Sequence, residues 1–167
     1  WILTALEPIS ARLEAPTPIG RSTRISMETA SMTAGKPPIF NDLQNGASPL
    51  NGSTVHDEND LFSLLNRIQD REPFGCELLG ENGYKLTLGI GKDIGFVQHS
   101  SRDGQAPYLL AVATEVTNDS EFSYFFVGDT ATPIPRQYCL PFETVRNIAA
   151  FFIESGMRSP AVKWEEI

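Results

Sequence analysis

Apolar positions recur with a helical period in two places along the chain. Leu61, Leu64, Leu65 and Ile68 stand at i, i+3, i+4 and i+7, the spacing that lines one helix face. Val145, Ile148, Ala149 and Phe152 repeat that spacing, with Phe142 and Phe151 widening the stripe. Asp57 or Ser53 is placed to cap the first helix, Glu58 and Asp60 suit its positive end, and Pro73 prevents its continuation. The second helix is predicted to begin at Pro141, because a missing N–H costs nothing at the first helical position. Ser155-Gly156 supplies its stop, with Pro160 beyond.

Elsewhere the period is two. After the turn signal Glu81-Asn82-Gly83, Tyr84, Leu86, Leu88 and Ile90 alternate with Lys85, Thr87 and Gly89, the pattern of a half-buried strand. Gly91-Lys92-Asp93 predicts a hairpin turn into a returning strand at 94–99. Residues 108–116 and 122–127 predict two more strands, the second ended by Gly128-Asp129. Residues 132–140 contain Pro133 and Pro135, which permit only an edge strand or an irregular crossing. Val162 and Trp164 alternate with Lys163 and Glu165, so a short terminal strand is expected. Together these elements predict an α+β fold: a mostly antiparallel sheet of about five to six strands with two main helices packed on one face.

Residues 1–50 carry Pro8, Pro16, Pro18, Pro37, Pro38 and Pro49 with no sustained period, so mostly irregular structure is expected there. The expectation is a single α+β domain over residues 51–167. The compact unit would begin near Met32 or later, with the preceding residues a linker, an over-long reading frame or an expression artefact.

The hydrophobic content of 41% in 167 residues is enough for one ordinary core. No apolar run approaches the roughly 18 residues that cross a bilayer, and the start lacks the basic and apolar regions of a signal peptide. The chain therefore reads as soluble and cytoplasmic. Cys76 and Cys139, without a secretory signal, read as two reduced core thiols. The net charge is −8, and from Met32 onward ten Lys and Arg stand against eighteen Asp and Glu, so that part holds the whole excess. Such a surface repels nucleic acid and anionic lipid and attracts a basic protein.

Catalytic equipment is hard to find. Gly89, Gly91 and Gly95 do not match the dinucleotide fingerprint, and strand rather than helix follows them, so a glycine-rich hairpin turn is the better reading. His56 and His99 are the only histidines, and neither cysteine has a metal-ligand spacing, so no metal or other cofactor is expected. His99-Ser100-Ser101 lacks a nucleophile elbow and reads as a surface turn. Asp93, Asp103, Asp119, Glu121 and Asp129 fall in or beside predicted turns, either as solvated loop charge or as a partner-facing acidic rim. In the run Phe122-Ser123-Tyr124-Phe125-Phe126, neighbouring rings must point to opposite faces. Tyr124 or Phe125 is then exposed, covered by a helix, or available as an interface anchor.

The C-terminal pattern adds a family. Phe151-Phe152 at the end of a helix, then Ser155-Gly156-Met157-Arg158-Ser159-Pro160, then Val162-Lys163-Trp164-Glu165-Glu166 resembles the ending of the first-numbered family of bacterial immunity proteins, which accompany polymorphic toxins. The helix at 60–68, the stretch from Tyr84 to Gly91 and the stretch from Tyr124 to Gly128 are similar too. Phe152, Gly156, Arg158, Trp164 and Glu165 are the positions that carry the family motif. One departure is Ser159, which stands where arginine would directly precede proline. The resemblance implies a small α+β domain that binds and neutralises a cognate toxin, a nucleic-acid-targeting deaminase or nuclease, without catalysis. Alternation along the terminal strand is expected to turn Val162 and Trp164 inward, with Trp164 packed against the Phe151/Phe152 end of the helix and Glu165 facing outward. Two readings from other classes compete with the toxin-binding one: an adaptor domain using the Pro-rich N-terminal segment, and a small enzyme assembled from residues such as His99, Glu121 and Cys139.

Overall fold

The computed structural model describes residues 36–68, 73–114 and 121–167. In chain order these form β1 (Ile39–Asp42), β2 (Ser53–Thr54), α1 (Glu58–Ile68), β3 (Phe74–Leu79), β4 (Tyr84–Ile90), β5 (Ile94–Ser101), β6 (Leu109–Val112) and β7 (Phe122–Val127). There follow β8 (Thr130–Pro135), a 3-10 turn (Arg136–Tyr138), β9 (Leu140–Pro141), α2 (Phe142–Ser155) and β10 (Lys163–Glu166). The fold is α+β, as expected. No described helix is long and apolar enough to cross a membrane.

The main path of the sheet runs β10-β6-β5-β4-β3-β1-β2, all antiparallel. The outer edge of β3 is shared: β1 pairs with residues 76–79, while β7 meets it in parallel at Phe74. The far edge of β5 is shared as well, by β6 at Gln98 and His99 and by β9 at Ile94 and Gly95.

Register decides which face each side chain takes. Leu78, Leu86 and His99 lie opposite one another in one row, and Cys76, Leu88 and Val97 in the next row on the same face. On that face they join Leu61, Leu65 and Ile68 of α1 and Val145, Ile148, Ala149 and Phe152 of α2 in one core. The helices form for the reasons the sequence indicates. Asp57 accepts the Asp60 N–H at 2.9 Å and Asp60 in turn accepts the His56 N–H at 3.0 Å, a reciprocal cap in which Asp57 rather than Ser53 does the capping.

The opposite face of the sheet carries a second core. Phe96 and Leu110 pack there with Phe125, Ile134, Tyr138 and Cys139, so the β7–β8 hairpin and the 3-10 turn act as its cover. Gly89 makes the fit possible. It pairs with Phe96, and a Cβ at this position would stand 2.1 Å from Phe96 Cδ1 and 3.0 Å from Phe125 Cδ1. The two rings meet edge to face with centroids 5.0 Å apart.

Several expectations are corrected. Ten strands form among the described residues rather than five or six. β3 is missing from the predicted set because all but two of its positions are buried, so it shows no alternation. β1 lies between prolines in a stretch expected to be irregular, and its pairing with β3 overrides the local breakers. β2 and β9 are two-residue pairings too short to leave a pattern. The predicted strand at 108–116 is ordered as β6 only to Val112. Ala113 instead donates its N–H to Gln137 of the 3-10 turn at 2.8 Å, and residues 115–116 lie outside the described residues. Pro141 is the N-cap of α2 with ψ 139°, one residue before the helix, because its backbone is still extended in β9. The proline-bearing segment is an edge strand at 130–135, pairing with β7 alone among the described residues.

Gly89→Ala should lower unfolding free energy by about 2 kcal/mol, since the new methyl must displace a ring held on two sides. Urea unfolding checks this. In a Phe96→Leu background the same substitution should cost less than about 1 kcal/mol, because the clash partner is gone.

Candidate partner-binding surface

The family-like ending forms a closed unit. α2 stops at Gly156, whose φ of 68° is left-handed and whose N–H donates to Phe152 O at 2.7 Å. A side chain there would press on Asn82 Nδ2, 2.6 Å away. Asn82 donates to the Gly156 carbonyl and accepts the Tyr84 N–H at 3.3 Å, tying the β3–β4 turn to the end of α2. The sequence marks Asn82 only as a turn residue, and its second bond spans 74 positions, beyond any local signal.

Ser159, the departure from the family pattern, is 5% exposed. Its carbonyl accepts the Trp164 Nε1–H at 2.9 Å, and its hydroxyl accepts the Ala161 N–H at 3.3 Å, so the additional residue holds the terminal strand. Trp164 is half-buried against the helix-side core. Its ring meets that of His99 at 6.2 Å, and His99 meets Phe152 at 6.3 Å and Tyr84 at 4.9 Å. His99 is thus the ring that links Trp164 to the end of α2. Glu165 faces the other way, 2.7 Å from Lys163 and 3.3 Å from the Tyr138 hydroxyl that donates to it. Lys163 holds the Glu165 carboxyl below its ordinary range.

His99 is therefore not on a surface turn. It lies within β5 and is 6% exposed, on the same face as Val97, because the strand continues two residues past it. Burial first, and the nearby Arg158 guanidinium second, push its pKa down to about 4. The imidazole is neutral at physiological pH. Beside it opens a cleft of about 220 Å³ lined by Tyr84, Ser101, Leu109, Met157 and Arg158 among others.

The five candidate carboxylates are spread out. Asp93 lies in the β4–β5 turn and Asp103 in the turn after β5, at opposite ends of that strand. Asp103 accepts hydrogen bonds from the Ser101 hydroxyl and, at 3.2 Å, the Gln105 N–H, and the Ser101 bond leads in holding its carboxyl below its ordinary range. Glu121 precedes β7 and Asp129 follows it, again at opposite ends of one strand. Asp119 lies outside the described residues. Each of the four described carboxylates is exposed at a strand end.

His99, Glu121 and Cys139 are not brought together either. His99 faces the helix-side core, Cys139 belongs to the opposite one, and Glu121 sits at the mouth of the hairpin. Both cysteines are free and buried. Burial leads in pushing each thiol upward, with the Asp42 and Glu77 carboxylates adding to it at Cys76. Among the described residues, no group of three or more His, Cys, Asp and Glu is placed to hold a metal ion.

The hairpin resolves the question of the aromatic run. Phe125 is 1% exposed in the second core, while Tyr124 is 58% exposed and Phe122 53%. The two exposed rings share a face with Pro133 and Pro135, their direct partners across β8.

Two measurements check this cluster. Trp164→Ala should cost about 2–3 kcal/mol in urea unfolding, less than a fully buried tryptophan because the ring is half-exposed. The second concerns pH. Because the folded pKa of His99 is below its ordinary 6.5, the unfolded chain binds the proton more readily. Stability from this group is full above pH 6.5 and falls as pH drops towards about 4. Wild type should lose about 2–3 kcal/mol more than His99→Phe across that window.

A model of the family described as immunity protein Imm1 matches residues 51–166, which takes in everything from β2 to β10. Comparison with curated proteins finds no match. With well over half of its length matched, and the Phe152, Gly156 and Trp164 ending closed in space as well as in sequence, the chain belongs to the Imm1 family of immunity proteins.

Proposed function

We propose that this chain binds and neutralises a cognate polymorphic toxin in the cytoplasm, by covering a basic active-site cleft, and that it does so without catalysis. The family match over residues 51–166 carries the reading. The charge supports the mechanism: the chain carries a net −8, and Asp93, Asp103, Glu121 and Asp129 are exposed at strand ends, where a partner can reach them. A toxin that acts on nucleic acid, as a deaminase or nuclease does, must present positive charge along the path of its polyanionic substrate. An acidic inhibitor complements that path, and long-range attraction speeds the encounter. The same charge disfavours nucleic acid and anionic membranes as partners.

Co-expression with the toxin gene adjacent to its own should restore growth of cells that the toxin alone kills. The purified pair should form a complex that weakens about tenfold or more between 50 and 500 mM salt. Unchanged lethality in the presence of well-expressed, folded protein would sink the reading.

A further inference from the structure

We infer that the toxin docks on the outer face of the β7–β8 hairpin, with Phe122 and Tyr124 as anchors and Asp129 and Glu121 as flanking charges. The inference rests on the immunity reading and goes beyond it by assigning the surface. Tyr124 and Phe122 are large rings left 58% and 53% exposed on one strand face, two residues apart. Alternation turns both positions outward, but folding does not require large rings there. The hairpin is held to the body by Phe125 on its other face and by Phe126 at the end of β7 that meets β3, while Phe122 and Tyr124 stay exposed. Exposed, adjacent aromatic rings on a preformed strand are the groups that most often dominate protein interfaces, since their ordering cost is already met.

The chemistry favours a basic partner. Tyr and Phe rings accept Arg and Lys side chains over their faces, and carboxylates at the two ends of β7 pair with the same side chains. Asp129 is exposed in the turn between the strands. Glu121 is exposed at the other end, with Arg136 next to it in the fold, its N–H donating to Glu121 O at 2.9 Å. The other exposed apolar pair, Tyr84 and Met157, borders the cleft that Arg158 lines, and that cation repels a basic partner.

The mode of contact follows from the prolines. Among the described residues, β8 pairs with β7 alone. Pro133 and Pro135 have no N–H to present along its other edge, so strand addition is disfavoured and side-chain contact with the hairpin face remains.

The test measures binding of full-length variants to the catalytically inactivated toxin domain encoded by the adjacent gene. The double variant Phe122→Ser/Tyr124→Ser should bind at least 100-fold more weakly than wild type, and Asp129→Lys at least 30-fold. Glu58→Gln/Glu154→Gln, a loss of two charges elsewhere on the surface, should bind within threefold. If the double variant fails to fold, as judged by its melting curve, Asp129→Lys decides alone. Hairpin variants that bind within threefold of a tightly binding wild type overturn the docking surface and leave the immunity reading standing. A wild type that does not bind this domain overturns both.

Discussion

The sheet carries large apolar side chains on both faces, from β3, β4 and β5 on one and from β5 and β6 on the other, and an antiparallel sheet with two apolar faces cannot leave either one in water. Leu78, Leu86, Leu88 and Val97 require a cover on one side, which α1 and α2 supply with Leu61, Leu65, Val145 and Phe152. Phe96 and Leu110 require one on the other, which the β7–β8 hairpin and the 3-10 turn supply through Phe125, Ile134 and Tyr138. Each fully buried side chain of this size contributes roughly 1.5–3 kcal/mol. Neither cover is therefore dispensable in a fold whose net stability is only about 5–15 kcal/mol. The hairpin is thus a structural necessity first. Its display of two rings outward follows from alternation: once Phe125 is committed to the core, Tyr124 and Phe126 must face the other way, and so must Phe122.

Both helices and the strands β4, β7 and β10 were legible because each has a wetter face that its periodicity reports, whereas β5, buried on both faces, was legible through the Gly91-Lys92-Asp93 turn before it. Leu61, Leu65 and Ile68 announce α1, and Leu86 and Leu88 announce β4. β3 was not legible for the opposite reason. With Phe74, Gly75, Cys76 and Leu78 all buried, covered on both sides and paired on both edges, it has no wet face to report. β1 illustrates a different limit, since Pro38 and Pro49 nearby outweigh any local preference, and only the long-range partner β3 makes Ile39–Asp42 a strand. In the site, the closure by Gly156 and Trp164 was visible as a motif. The two contacts that make it rigid, Asn82 to Gly156 and His99 to Trp164, join residues 74 positions apart in the first case and the strands β5 and β10, far apart in sequence, in the second. No local pattern carries such information.

Charge and aromatic exposure are divided between two regions of the surface. The cleft beside His99 is rimmed by Arg158, and the same guanidinium that helps keep the imidazole neutral makes that mouth cationic. The hairpin carries carboxylates at both ends of β7 and its exposed rings between them. Among the described residues, Lys36 pairs with Glu81, Lys85 with Glu77, Arg146 with Glu143 and Lys163 with Glu165. None of these four pairs consumes Glu121 or Asp129.

Tight, selective inhibition of an active-site cleft requires that little order be created on binding, because each side chain immobilised at the interface costs about 0.5–1.5 kcal/mol. The hairpin meets that condition through its other face. Phe125 locks β7 by packing edge to face with Phe96 over Gly89, and the full register with β8 runs from Phe122↔Pro135 to Val127↔Thr130. The prolines opposite Phe122 and Tyr124 have fixed backbone torsions and no donor to satisfy. The outer rings thus stand on a two-stranded platform whose shape is set by the second core rather than by the partner. The same Gly89 that admits Phe96 to the sheet surface indirectly sets the position of the rings on the far side of the hairpin.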